Sequence, residues 1–335
     1  MPVTNFLVIT SIASDQHPVL NSIAKECIDR DIDFIVIGDT KSPATFELRG
    51  CDFWDISRQQ SLDFELAAIT PVRHYSRKNI GYLLAMQRGA DRIVETDDDN
   101  LPGEAFWDLS TRTVEAYTIA TKGWVNIYAC FSDQLVWPRG LPLEYVQSAG
   151  TSIASTEKTP CFAPIQQGLA DDNPDVDAVF RLTRELPITF KQAGPFSLGK
   201  DTWCPFNSQN TVWFREAFPL MYLPSYCSFR MTDIWRSFVA QRIAWECGWN
   251  ILFRQATVRQ ERNDHNLLRD FEEEVPGYLH NHQIARHLAD LPLGTGTEAI
   301  SANLIECYEC LIRLGLIGKD EMPLLMAWIR DCGRF

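Results

Sequence analysis

The chain has 335 residues, 45% of them apolar, with 31 Lys and Arg against 44 Asp and Glu, a formal charge of −13. That length allows one large domain or two smaller ones around a sizeable core, and the charge argues against nucleic acid or an anionic membrane as a bulk partner. No run of about 18 apolar residues occurs, so no transmembrane segment is expected. MPVTNFLVITSIAS lacks the basic and long apolar regions of a signal peptide, and a cytoplasmic protein is expected. Ten cysteines are scattered along the chain. Only Cys307 and Cys310 form a CxxC, with no second pair at zinc-site spacing, so all ten are read as reduced and structural.

In chain order, Phe6 to Thr10 predicts a buried strand, and Pro18 to about Asp29 a helix with Val19, Ile23 and Cys27 on one face. DFIVIGD predicts a second strand ending at Gly38–Asp39. SRKNIGYLLAMQRGA predicts a helix with an Ile80, Leu83, Leu84 stripe and Gly89 at its end. RIVET is a further strand, followed at once by Asp97, Asp98 and Asp99. WVNIYACF reads as a strand, and QQGLADDNPDVDAVFRLT as an acidic, turn-rich stretch. TVWF is an apolar segment behind the polar cluster PFNSQN. MTDIWRSFVAQRIAWECGWN predicts a helix capped by Thr232, with Ile234, Phe238 and Ile243 on its apolar face and Gly248 past its end. ILFRQATV is another strand, and from Val275 the chain reads as helical.

Strands alternating with helices predict a parallel α/β sheet, and such sheets bind ligands beyond the carboxyl ends of their strands. Ser11, Asp39 and the three aspartates fall at such ends. Three adjacent like charges are unfavourable unless a cation or water offsets them. Hard divalent cations prefer carboxylate oxygens, and an open coordination site accepts a diphosphate. Asp97 and Asp99, alternate residues at a strand end, are expected to share one site. Arg77 and Lys78 open the preceding helix, where cations oppose the helix dipole, which suggests a task such as pairing with phosphates.

Asn207, Ser208, Gln209 and Asn210 can serve sugar hydroxyls or a loop backbone equally well. Asp233, in a first helical turn, suits the helix dipole and is also a candidate general base. Asp171, Asp172, Asp175 and Asp177 read most simply as a solvated turn, as do His280 and His282. His265 gains interest only as a third metal partner.

The blocks RKNIGYLLAMQRGADRIVETDDDN, DNPDVDAVFRLT, PFNSQNTVWFREAFPLMYLP and TDIWRSFVAQRIAWECGWNILFRQATV together resemble the STELLO-type glycosyltransferases. They are more distantly similar to the reversibly glycosylated polypeptides, which act as UDP-arabinopyranose mutases. The resemblance covers roughly residues 70 to 260 in several blocks in one order. It implies a GT-A-like, Rossmann-like fold with a mixed, mostly parallel sheet flanked by helices. It further implies a nucleotide-sugar donor, a UDP-sugar favoured, and Mn²⁺ or Mg²⁺ held by an Asp-x-Asp motif. On that reading Asp97 lies near the ribose and Asp99 binds the metal. The related proteins tend to carry a His where this chain has Arg259, leaving His265 as the substitute ligand.

The expectation is a metal-dependent glycosyltransferase acting on an unknown acceptor. Its domain spans residues 1–275, with a nucleotide-binding half (1–100) and an acceptor half (101–275), followed by a helical extension (276–335). Thr10, Ser11, Asp39, Arg77, Lys78, Asp97 and Asp98 are assigned to the donor. Asn207, Gln209, Asn210, Trp235 and Arg236 are assigned to the sugar and acceptor, and Asp233 to general base catalysis. The alternatives are a nucleotide-sugar mutase, which needs no separate acceptor, and a non-catalytic scaffold with a degenerate transferase fold.

Overall fold

The computed structural model describes residues 3–108, 111–261 and 266–335. Its first half is built from β1 (Asn5–Thr10), α1 (Pro18–Asp29), β2 (Ile32–Ile37) and β3 (Asp52–Trp54), followed by short helices α2 (Ile56–Gln60) and α3 (Glu65–Ile69), then α4 (Lys78–Gln87) and β4 (Arg92–Thr96). β1 pairs in parallel with β2 on one side and β4 on the other, and β2 pairs in parallel with β3. These strands are apolar on both faces because both faces are covered. Leu7 and Ile9 pack into the cluster of α1, with Leu20, Ile23 and Cys27. Phe6 and Val8, on the opposite face, join Ile80, Leu83 and Leu84 of α4, as the two-residue period of a strand requires. Gly81 lets α4 lie close on the sheet, since a Cβ there would sit 2.5 Å from Cγ1 of Val8.

The second half adds β5 (Asn100–Pro102), β6 (Thr113–Thr118), β7 (Gly123–Trp124), β8 (Thr159–Phe162), β9 (Ile165–Asp171), α5 (Ala178–Thr183), β10 (Phe196–Leu198), β11 (Thr202–Trp203) and β12 (Asn210–Phe214). It continues through α6 (Thr232–Glu246), β13 (Ile251–Gln260), α7 (Leu267–Ala289), α8 (Ile300–Arg313) and α9 (Glu321–Cys332). Among the described residues one mixed sheet runs β3-β2-β1-β4-β12-β9-β13-β10-β6-β8, with β5 against β13 and a separate β7–β11 pair. β12 enters antiparallel beside β4, which carries the parallel half into the mixed half without a break. The architecture is the expected mixed α/β sheet flanked by helices, with helices at its C-terminal end.

Four local expectations differ. Most of WVNIYACF is not a strand: only Gly123–Trp124 pairs, and Ile127–Cys130 forms a 3-10 turn. Its apolar side chains are explained by burial, since Val125, Ile127 and Phe131 are wholly enclosed. Thr232 is not the cap of α6, whose N-cap is Met231 without a side-chain bond. α6 is buried on every face rather than one, the pattern of a helix inside a core. His280 and His282 lie within α7, not in a turn.

α7 runs across the expected 275/276 boundary. Leu324 and Trp328 of α9 share the main core with Phe6 and Val8. Asp331 of α9 accepts the backbone N–H groups of Glu65 and Leu66 at 3.2 and 2.9 Å, closing the first turn of α3. All ten cysteines are free, and among the described residues no helix is long and apolar enough to cross a membrane.

Candidate functional site

A cavity of about 550 Å³ opens where β1, β2 and β4 end. Thr10, Ser11, Asp39 and all three aspartates of the triplet line it. The turn after β4 sends the three carboxylates to different partners. Asp97 Oδ1 accepts from the Tyr75 hydroxyl at 2.7 Å and from Lys78 Nζ at 3.0 Å. Asp98 accepts the Ser11 hydroxyl. Asp99 Oδ2 accepts from Gln260 Nε2 at 2.9 Å, while its Oδ1 is buried with no hydrogen-bond partner. Burial, together with the charges of Asp97 and Asp98, pushes the Asp99 carboxyl up to about 7. Burial also raises Asp97, against the opposing pull of Lys78.

The two cations of the preceding helix are already used. Lys78 Nζ is fully buried and donates to Tyr75, Asp97 and the carbonyls of Thr96 and Ser208. The Arg77 guanidinium donates to Gln59 and to the carbonyls of Thr70 and Pro71. Their awkward position at a helix start is therefore offset by internal partners, and neither guanidinium nor ammonium is left over for a phosphate. At the cavity mouth stand Lys41 and Arg73 instead. Arg73 has a left-handed backbone, φ 58°, and its Nε donates to Thr40 at 3.3 Å. Neither has an acidic partner among the described residues.

The opposite wall is a closed network in which Arg139 went unnoticed in the sequence and Asp175 was read as a solvated turn. Arg139 donates to both oxygens of Asp175 at 2.7 and 2.9 Å and to both oxygens of Asp233 at 3.1 Å. Asp233 also accepts the Ser208 N–H and hydroxyl at 3.2 Å, and Asp175 accepts from Asn207 Nδ2 at 2.8 Å. Burial raises Asp175, but the Arg139 charge and hydrogen bonds outweigh it and hold the carboxyl well below its ordinary range. The second acidic run is therefore not a solvated turn. Asp175 lines the cavity, and Asp177 caps α5 through the Phe180 N–H while accepting Trp137 Nε1 at 2.7 Å. Between the walls, Phe229 stands 51% exposed at the rim, edge-on to His74 and Tyr75.

Of the residues expected on the sugar side, Gln209 and Asp233 line the cavity. Asn207 sits behind Asp175 as its hydrogen-bond donor. Asn210 is turned into the sheet, donating to the Leu169 carbonyl and Thr257. Trp235 Nε1 donates to Asn281 of α7, away from the cavity. Arg236 forms a two-pronged ion pair with Glu95 at 2.8 and 2.9 Å, both wholly buried beneath the triplet. Tyr82 and Trp213 also donate to Glu95, so this pair braces β4 rather than facing a ligand. Arg259 pairs with Asp172 at 2.9 Å, and His265 lies outside the described residues.

Asp99 Oδ1, unpartnered and flanked by carboxylates, fits a hard divalent cation. Among the described residues no group of three or more His, Cys, Asp or Glu is arranged to hold a metal ion. Any such ion would thus be held by fewer than three of these groups, with the rest of its shell supplied by water or a ligand. Asp97 contributes less than expected because Lys78 neutralises it.

Residues 230–335 match the family model of the STELLO glycosyltransferases. Across 343 aligned positions the chain is 27% identical to "Probable glycosyltransferase STELLO1" of Arabidopsis thaliana, covering 97% of this chain and 44% of that protein. It is 31% identical over 316 positions to "Probable glycosyltransferase STELLO2" of the same plant, covering 89% of this chain and 41% of the relative. The chain thus spans less than half the length of these relatives. A solved structure titled "Crystal Structure of a Mycobacterial Protein" superposes with a TM-score of 0.44 at 11% identity, over 84% of this chain and 75% of that one. The C-terminal third of the chain matches the STELLO family model, and nearly the whole chain is similar to the covered part of two STELLO proteins.

Proposed function

We propose that this chain is a metal-assisted glycosyltransferase of GT-A type that uses a nucleoside diphosphate sugar, a UDP-sugar favoured. One observation carries the reading: the triplet carboxylates, one with an unpartnered oxygen, open into a cavity at the carboxyl ends of β1 and β2, where an α/β sheet binds nucleotides. Ser11 and Asp39 are assigned to the base and ribose. Asp98 and Asp99 would hold Mn²⁺ or Mg²⁺, whose chemistry when bound is to offset the charge of the departing diphosphate. Lys41 and Arg73, rather than Arg77 and Lys78, are the cations assigned to the diphosphate. Gln209, Asp233 and Arg139 face the sugar and the acceptor.

In the transfer, the bond from the anomeric carbon to the diphosphate oxygen breaks and a bond to the acceptor oxygen forms. The acceptor gives up its proton. Asp233 is the carboxylate assigned to that hydroxyl, held in place by Arg139 and Ser208.

Calorimetric titration of UDP, GDP, CDP and dTDP, each with and without Mn²⁺, tests the donor assignment on wild type and Asp99→Ala. Binding of one nucleotide that needs the metal and is lost in Asp99→Ala is expected. No binding of any nucleotide under either condition would remove the reading's support.

A further inference from the structure

A second cavity, of about 350 Å³, lies between the β7–β11 pair, the turn around Tyr145 and the C-terminal half of α7, and it shares no lining residue with the first. Its wall is aromatic. Trp124 lies 6.2 Å from Trp203 and 6.4 Å from Tyr145, centroid to centroid, and Tyr145 lies 5.1 Å from His282. Trp124 Nε1 donates to His282 Nδ1 at 3.0 Å. The other ring nitrogen of His282, Nε2, lies 3.5 Å from the Tyr145 hydroxyl. Gly123 leaves the space open, since a Cβ there would meet no atom within 4 Å.

The charge of this cavity is the opposite of what the chain as a whole predicts. In a protein of net charge −13, its lining contains Lys122, Arg286 and His282 and not one carboxylate. Lys122 Nζ donates only to the Lys200 carbonyl, and Arg286 is exposed with no acidic partner among the described residues. A helix C-terminus favours a cation such as Arg286, but that does not account for Lys122 on a different element beside it. Tyr145 and His282, the half-exposed members of this wall, can meet the apolar face of a sugar ring, and two cations without acidic partners accept an anionic group.

We infer that this cavity binds an anionic monosaccharide unit, carrying a carboxylate or a phosphate, separately from the first cavity. The inference does not rest on the transferase reading, because none of its residues belongs to that site.

Saturation-transfer NMR and calorimetry with galacturonate, glucose 6-phosphate, uncharged glucose and inorganic phosphate test it on the full chain. One or both anionic sugars are expected to bind, with glucose and inorganic phosphate each weaker by about tenfold or more. Which anionic sugar binds separates carboxylate from phosphate recognition. Arg286→Glu and Tyr145→Ala, both at half-exposed or exposed positions and checked by thermal melting, are each expected to weaken binding at least about fivefold. Asp99→Asn, which alters only the first cavity, leaves this binding in place. The inference is overturned if neither anionic sugar binds at ~10 mM, if glucose or inorganic phosphate binds as tightly, or if Asp99→Asn abolishes binding while Arg286→Glu does not.

Discussion

Two acidic runs, TDDDN at the end of β4 and ADDNPDVD at the end of β9, reach the same cavity and do opposite things there. In the first, one carboxylate is neutralised by Lys78, one takes a serine hydroxyl, and one keeps an unpartnered oxygen beside two like charges. In the second, Asp175 is saturated by Arg139 and Asn207, and Asp177 by a helix N-terminus and an indole. Local sequence does not distinguish an acid awaiting a cation from an acid that already has one. The distinction lies in whether a basic residue distant in sequence folds back onto it.

Substitutions of opposite sign sharpen this contrast. The largest effect is expected from Arg139→Met, which strands Asp175 and Asp233 in a buried place without their counter-charge. Chemical denaturation should show a loss of about 3–5 kcal/mol, and an unchanged midpoint would mean that water replaces the guanidinium there. Asp175→Asn comes next, at roughly 2 kcal/mol, the worth of hydrogen bonds to a charged group, read from the same denaturation curves. Asp99→Asn should move the other way in metal-free buffer, stabilising by on the order of 1 kcal/mol as one of three clustered charges is removed. A destabilised Asp99→Asn would show instead that the triplet is already balanced within the fold.

A further effect is one of pH. Burial pushes Asp177 up to about 6. An acid whose folded pKa is raised binds its proton more tightly in the native state, so it costs stability as pH climbs from its ordinary value near 4 through about 6. The wild type should therefore lose more stability over that window than Asp177→Asn does. Parallel slopes in unfolding curves collected from pH 4 to pH 7 would contradict it.

The parallel half of the fold was readable because its signals are local. β1, β2 and β4 are apolar on both faces, and α1 and α4 carry stripes at helical spacing, so periodicity identifies each without reference to the rest. The triplet was readable as a candidate site for the same reason: it follows a strand directly. The mixed half gave less. Its strands are as short as two residues and are held by partners far along the chain, as Trp124 is by Trp203, and Val125, Ile127 and Phe131 are apolar because they fill a turn. Trp235 and Arg236 looked available for a ligand because their partners, Asn281 and Glu95, lie 46 and 141 positions away. Arg139 had no local mark at all, since nothing in WPRG announces that it joins two acids from two later elements.

The bond from Asp331 to the first turn of α3 has a consequence in time as well as in space. α3 has five residues and leads directly into the Arg73–Arg77 segment that floors the main cavity. The side chain that closes its first turn belongs to α9 and comes 265 positions later. During synthesis, where N-terminal parts fold as they emerge, β1, β2 and α1 can assemble early, but the cavity floor stays without its last brace until α9 has left the ribosome. The floor of the first cavity is thus completed by a residue 265 positions further along the chain.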